Sequence, residues 1–132
     1  MGNVLSLVPN KVVLDFGSGA GIPGIPLKIL YPESHFILVE SRRKRANFLR
    51  DVVRRLKLSS VDVHNNRIED LHAQLSESVD VVVTRAVSDL AGLRFWVDPV
   101  LKPHGVAITT LDSHRGYHRS RGVLFRCQSE AL

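Results

Sequence analysis

A turn with glycine at every second position separates a short β-branched run from a proline-rich segment, and few folds accommodate such a turn. Residues 12–24 read Val-Val-Leu-Asp-Phe-Gly-Ser-Gly-Ala-Gly-Ile-Pro-Gly. Val12, Val13 and Leu14 have the continuous apolar pattern of a buried parallel strand. Gly17, Gly19 and Gly21 then strip the loop of Cβ atoms, so backbone can press against a ligand. Pro23 or Pro26 can open the following helix, where a missing amide costs nothing. Asp15 stands at the strand's end and is expected to point its carboxylate into the crevice. Open α/β sheets bind nucleotide-like ligands at such a loop, beyond the carboxyl end of a strand.

Two ligands compete for it. Residues 19–24 satisfy the dinucleotide fingerprint by letter, which suits a nicotinamide cofactor. Asp15, however, precedes the first glycine by two residues and would set a negative charge against a pyrophosphate. The order Asp15, Gly17, Gly19, Gly21 suits a cationic ligand better, and S-adenosylmethionine carries both a sulfonium and an ammonium group. A tight turn that only packs a helix on a strand rarely needs three alternating glycines.

The rest of the chain is α/β in rhythm. The periodicity predicts strands over 11–16, 35–39, 60–64, 79–84 and 105–110. It predicts helices over 23–31, 43–56, 67–75 and from a Ser88 cap to Val100. Alternation of this kind gives a mostly parallel sheet of five or six strands with helices on both faces, joined by right-handed crossovers. Residues 123–127 offer a sixth, edge strand. With 132 residues, the sequence is read as one domain over 1–132 with an atypical tail at 111–132.

Composition narrows the class. No apolar run approaches the roughly 20 residues of a membrane span, and residues 1–10 lack the pattern of a secretory signal. The single cysteine excludes an internal disulfide and agrees with a cytoplasmic setting. The six histidines have no metal-ligand spacing, so no metal is expected. The net charge of +5 is clustered. Residues 42–57 hold eight Lys or Arg, beginning with Arg42, Arg43, Lys44 and Arg45, against one acid, Asp51. A solvated helix face and a polyanion-binding face are both consistent with such a run.

The strand ends supply further candidates. Glu40 follows the second strand, where an acid can accept hydrogen bonds from ribose hydroxyls. Ile68 and Glu69 follow the third, as an apolar face and a polar contact beside an adenine. Glu69 also has an ordinary reading as an acid in a helix's first turn. Arg85 leaves the fourth strand, able to hold a carboxylate or phosphate, or to pair with Asp15 or Asp89.

Three stretches together are diagnostic: Asp15 to Leu27 with its doubled Ile-Pro, Glu40 to Leu49, and Asn66 to Glu69 with Thr84-Arg85-Ala86. Over about residues 11–110 the chain resembles the glucose-inhibited division protein B family, bacterial small-subunit ribosomal RNA 7-methylguanosine methyltransferases. The resemblance implies a Rossmann-like class I methyltransferase fold and S-adenosylmethionine as cofactor. It places Gly17, Ile22, Ile68, Glu69 and Arg85 at that cofactor, beside Asp15, Gly19, Gly21 and Glu40. Arg85 is the one candidate catalytic residue. Arg42, Arg43, Lys44 and Arg45 become the expected RNA contacts. Relative to that family the sequence reads as shortened at both ends, which would leave a sheet edge for a homodimer to cover. Two other readings stand beside the methyltransferase: a non-catalytic module binding S-adenosylmethionine or RNA, and a small NAD-dependent oxidoreductase.

Overall fold

The structure is a computed structural model that describes residues 8–17, 24–84, 90–109, 117–120 and 123–126. Five strands form a parallel sheet: β1 (Val12–Phe16), β2 (His35–Val39), β3 (Val61–His64), β4 (Val79–Thr84) and β5 (Leu101–Thr109). Their order is β3-β2-β1-β4-β5, so the chain reverses its direction of travel across the sheet at β1 and β4. Helices α1 (Gly24–Leu30), α2 (Arg43–Arg55) and α3 (Leu90–Val97), with a short 3-10 segment at Ile68–Leu71, fill the connections.

The period-2 alternation of the strands sorts the core into two layers. Leu14, Ile37, Val82 and Ala107 face one side, where Ile68, Leu71, Leu75, Leu93 and Val97 cover them. Val13, Phe36, Val83 and Ile108 face the other, with Leu27 of α1. Leu38 on that second side receives Ile25 of α1 and Leu49 of α2. Helices therefore cover both faces, as the alternating pattern requires. Leu49 is fully buried, and burial of one such side chain stabilises by about 2 kcal/mol, enough to fix which face of an otherwise polar α2 turns inward.

Four expected boundaries differ, the simplest being α3, which ends at Val97 and not at Val100. β5 begins at Leu101, not at residue 105, because the β4 ladder starts at Val79↔Leu101 and then shifts register before Val81↔Val106. That irregularity lets the strand carry Pro103, which donates no ladder bond. The helix expected over 67–75 is a single 3-10 turn: Asp70 N–H bonds Arg67 O and His72 N–H bonds Glu69 O, both three residues back. Ile68 and Leu71, three apart, are its two buried positions, matching a 3-10 period rather than a longer α-helical stripe. The strand expected at 123–127 forms as β7 (Val123–Arg126), but it pairs antiparallel with β6 (Tyr117–Ser120) in a separate hairpin rather than extending the parallel sheet. The Ser88 cap lies outside the described residues.

Below the sheet, where the strands begin, polar groups are engaged within the fold. The Asp80 carboxylate accepts the Val12 N–H at 2.9 Å and pairs with the Lys102 ammonium at 3.2 Å. Lys28 of α1 is almost wholly buried, and its Nζ donates to Pro32 O at 2.8 Å and Ser34 O at 2.7 Å. Burial pushes the Lys28 ammonium below the ordinary lysine value, partly offset by Glu33.

Candidate cofactor cleft and cationic face

β1, β2 and the β3–3-10 connection end together and enclose a cavity of about 280 Å³. Its walls are Phe16, Gly17, Val39, Ser41, Asn66, Arg67, Ile68, Glu69 and, from α3, Trp96.

Each wall has a local cause. Gly17 leaves β1 with φ +71° and donates its N–H to Val39 O at 2.8 Å. A side chain is disfavoured there by backbone conformation and not by crowding, since a Cβ would meet nothing within 4 Å. Phe16 and Trp96 meet edge to face, centroids 6.2 Å apart and planes at 76°. Ile68 is buried as the apolar floor, and Glu69 is exposed at the rim. Apolar walls under a polar rim of Ser41, Asn66 and Glu69 can take a planar ring and its hydroxyls.

The two acids expected to face the ligand each accept a backbone amide. Asp15 is buried, and its Oδ2 accepts the Gly24 N–H at 2.9 Å, tying the start of α1 to the end of β1. That approach needs glycine at 24: a Cβ there would meet Asp15 Oδ2 and Leu38 Cδ2, each at 2.7 Å. Glu40 is likewise buried, its Oε2 accepting the Arg42 N–H at 2.7 Å. Neither lines the cavity. Gly19, Gly21, Ile22 and Arg85 lie outside the described residues.

Sequence reasoning missed Phe16, Trp96, Ser41, Asn65 and Asn66. Asn65 matters most for shape: its Nδ2 donates to Glu40 O and Ser41 O, both at 3.0 Å, locking the β2 exit against β3. The Asn65-Asn66 pair was the available signal, a turn-forming dipeptide directly after a strand.

Arg42, Arg43, Lys44 and Arg45 are all exposed at the start of α2, beside Ser41 of the cavity. Their side chains have no ion-pair partner among the described residues. Cations at a helix N-terminus oppose its dipole, by about 0.3–1 kcal/mol each, so this placement does not serve the helix. Arg54 and Arg55, in the last turn, sit where the dipole favours them and both pair with Asp51. The Arg54 hydrogen bond, with help from Arg55, holds the Asp51 carboxyl below its ordinary value despite some desolvation.

No helix among the described residues is long and apolar enough to cross a membrane, and no group of three metal-ligating side chains occurs among them. Solved structures share the fold. PKMT2 from Rickettsia typhi in complex with AdoHcy superposes with a TM-score of 0.64 at 21% identity, over 80% of this chain and 21% of that one. The putative methyltransferase yhhF from Escherichia coli gives 0.65 at 18% identity, over 88% and 71%. CurK enoyl reductase gives 0.60 at 14%, over 93% and 37%, so the fold by itself does not choose between cofactors. Sequence relatives are more selective. The ribosomal RNA small subunit methyltransferase G of Desulfitobacterium hafniense is 45% identical over 104 residues, 77% of this chain and 44% of that protein. That of Lachnoclostridium phytofermentans is 43% identical over 98 residues, 73% and 40%. The chain thus spans less than half the length of these relatives. Residues 3–115 match the family described as GidB, rRNA small subunit methyltransferase G, and with the Rossmann-like methyltransferase fold around the cavity the chain belongs to that family.

Proposed function

We propose that this chain is an S-adenosylmethionine-dependent methyltransferase domain that modifies a guanine ring nitrogen of small-subunit ribosomal RNA. The observation that carries the reading is the juxtaposition, in a member of this family, of a glycine-led cavity and a run of exposed cations at the start of α2 that have no ion-pair partner among the described residues. The cavity fits the adenosine portion of the cofactor: Ile68, Phe16 and Trp96 offer apolar surface to the base, and Ser41, Asn66 and Glu69 offer polar contacts. Gly17 supplies open backbone. Asp15 and Glu40 act from beneath, setting the loops that carry these contacts. Gly19, Gly21, Ile22 and Arg85 complete the cofactor site in the same reading.

The bound cofactor supplies an electrophilic methyl group. The seventh ring nitrogen of guanine offers a lone pair in the base plane and has no proton to lose, so no general base is needed. Alignment then does most of the work, which agrees with the lack of an obvious acid–base pair in the sequence. Arg42, Arg43, Lys44 and Arg45 hold the RNA through its phosphates, with affinity that falls as salt rises, and the target nucleotide is unstacked to reach the cleft. Residues 1–132 act as one such domain in the cytoplasm, with residues 111–132 as an atypical tail, and a second copy covers the open edge at β3.

Calorimetric titration with S-adenosylmethionine, S-adenosylhomocysteine and NAD, followed by transfer of a labelled methyl group to small-subunit RNA, tests the proposal. Tight binding of the first two and label at guanine are expected. Preference for NAD makes the chain an oxidoreductase. Cofactor binding without transfer makes it a non-catalytic module.

A further inference from the structure

The two walls of the cavity come from different parts of the chain, and one side chain joins them. His72 follows the 3-10 turn that carries Ile68 and Glu69. Its Nε2 lies 2.8 Å from Trp96 O. A carbonyl only accepts, so Nε2 carries the proton. Trp96 is in the last turn of α3, where carbonyls lack helical partners; the Val100 N–H, which a longer helix would offer it, goes to Val97 O at 3.1 Å. On its other side the His72 ring meets exposed Phe95 edge to face, centroids 6.4 Å apart. The Trp96 ring is half-buried, held by Phe16 at 6.2 Å, and its remaining surface lines the cavity.

We infer that Trp96 is a recognition wall for the planar base of the ligand in this cavity, and that His72 is a positioning residue that holds that wall at its working distance from Ile68. The inference rests on the cofactor reading above and adds two residues to it. An indole gives a base a broad apolar face with a directional edge. Its position is set by the backbone of α3, and the only side-chain bond to that backbone at Trp96 among the described residues comes from the turn bearing the opposite wall. His72 therefore sets the width of the slot without touching the ligand.

Trp96 is the sole tryptophan of the sequence, so its fluorescence reports on the wall alone. The test titrates the full chain with S-adenosylhomocysteine and, separately, with adenosine, by emission and by calorimetry in parallel. Both ligands are expected to change Trp96 emission with the dissociation constants that calorimetry gives. Trp96→Ala is expected to weaken both about tenfold, and Trp96→Phe, which keeps an aromatic face and the fold, less than threefold. His72→Gln retains a donor near Nε2 and should bind as the parent does. His72→Phe keeps the ring contact but loses the donor, and should weaken adenosine about fivefold and shift free Trp96 emission. Tight calorimetric binding with unchanged emission, or with Trp96→Ala binding as the parent does, overturns the inference and leaves the cofactor reading intact. Equal binding by His72→Phe and His72→Gln reduces His72 to a helix-end contact and overturns the positioning role. A folded chain that binds neither ligand removes the cofactor reading and this inference with it.

Discussion

The two ends of the parallel sheet use the same five strands and treat charge in opposite ways. At the lower end several charged groups have partners within the fold: Asp80 with Val12 and Lys102, Lys28 with Pro32 and Ser34, and Asp62 with the His35 ring at 2.8 Å. At the upper end the acids are engaged with backbone amides while the cations of the first α2 turn stand in solvent without partners among the described residues. Closed charges fix chain geometry. Open ones, set against a helix dipole, hold surface free for an anion. The lower end is thus the foundation and, in the function proposed above, the upper end is the working face.

The sharpest way to break that contrast is at the Asp15–Gly24 contact, where the upper end also needs fixed geometry. Gly24→Val would drive a side chain into Asp15 and Leu38, and overpacking of this kind costs about 3 kcal/mol. A urea unfolding midpoint that does not move would show that α1 can stand away from β1. Next in size is Lys28→Met, which keeps the apolar stem but strips the Ser34 carbonyl, buried, and the Pro32 carbonyl, partly buried, of their donor. A loss of about 2 kcal/mol is expected, measured in the same way; a neutral result would make the lower end a region of mere burial.

A smaller effect appears in acid. Burial by itself would raise the Asp80 carboxyl, but the Val12 N–H, Lys102 and Lys11 together outweigh it and hold the group below the ordinary aspartate value. Its unfolded value is about 3.9. Between these values the unfolded chain binds more protons than the native one, so the stability Asp80 contributes is complete above about pH 4 and is lost as pH falls through the folded value. Asp80→Ala should flatten the decline of stability below pH 4, as read from denaturant midpoints across pH. An unchanged slope would mean the carboxylate gains nothing from its partners.

The smallest stability change, within about 0.5 kcal/mol, is expected for Arg43→Ala with Lys44→Ala, because both side chains are exposed and have no ion-pair partner among the described residues. Their effect belongs to binding: the salt dependence of RNA affinity should become shallower by about one per phosphate contact removed. Arg54→Ala with Arg55→Ala, whose cations already pair with Asp51, should change it less. Equal effects of the two pairs would erase the distinction between open and closed charge.

Sequence alone determined the parallel sheet, the covered faces, the glycine exit from β1 and the apolar floor at Ile68, because strand and helix periods and a positive φ are local properties of the chain. It also placed four consecutive cations at the start of one helix. Tertiary structure decided the rest. Folding brought the Gly24 and Arg42 amides to one oxygen each of Asp15 and Glu40, contacts that bind a loop to its strand and that no local pattern announces. The early start of β5 depends on the register of β4. Trp96 gave no signal in its own helix, since a cavity wall is defined by what stands opposite, and the Ile68–Leu71 turn that faces it comes from a separate stretch of chain.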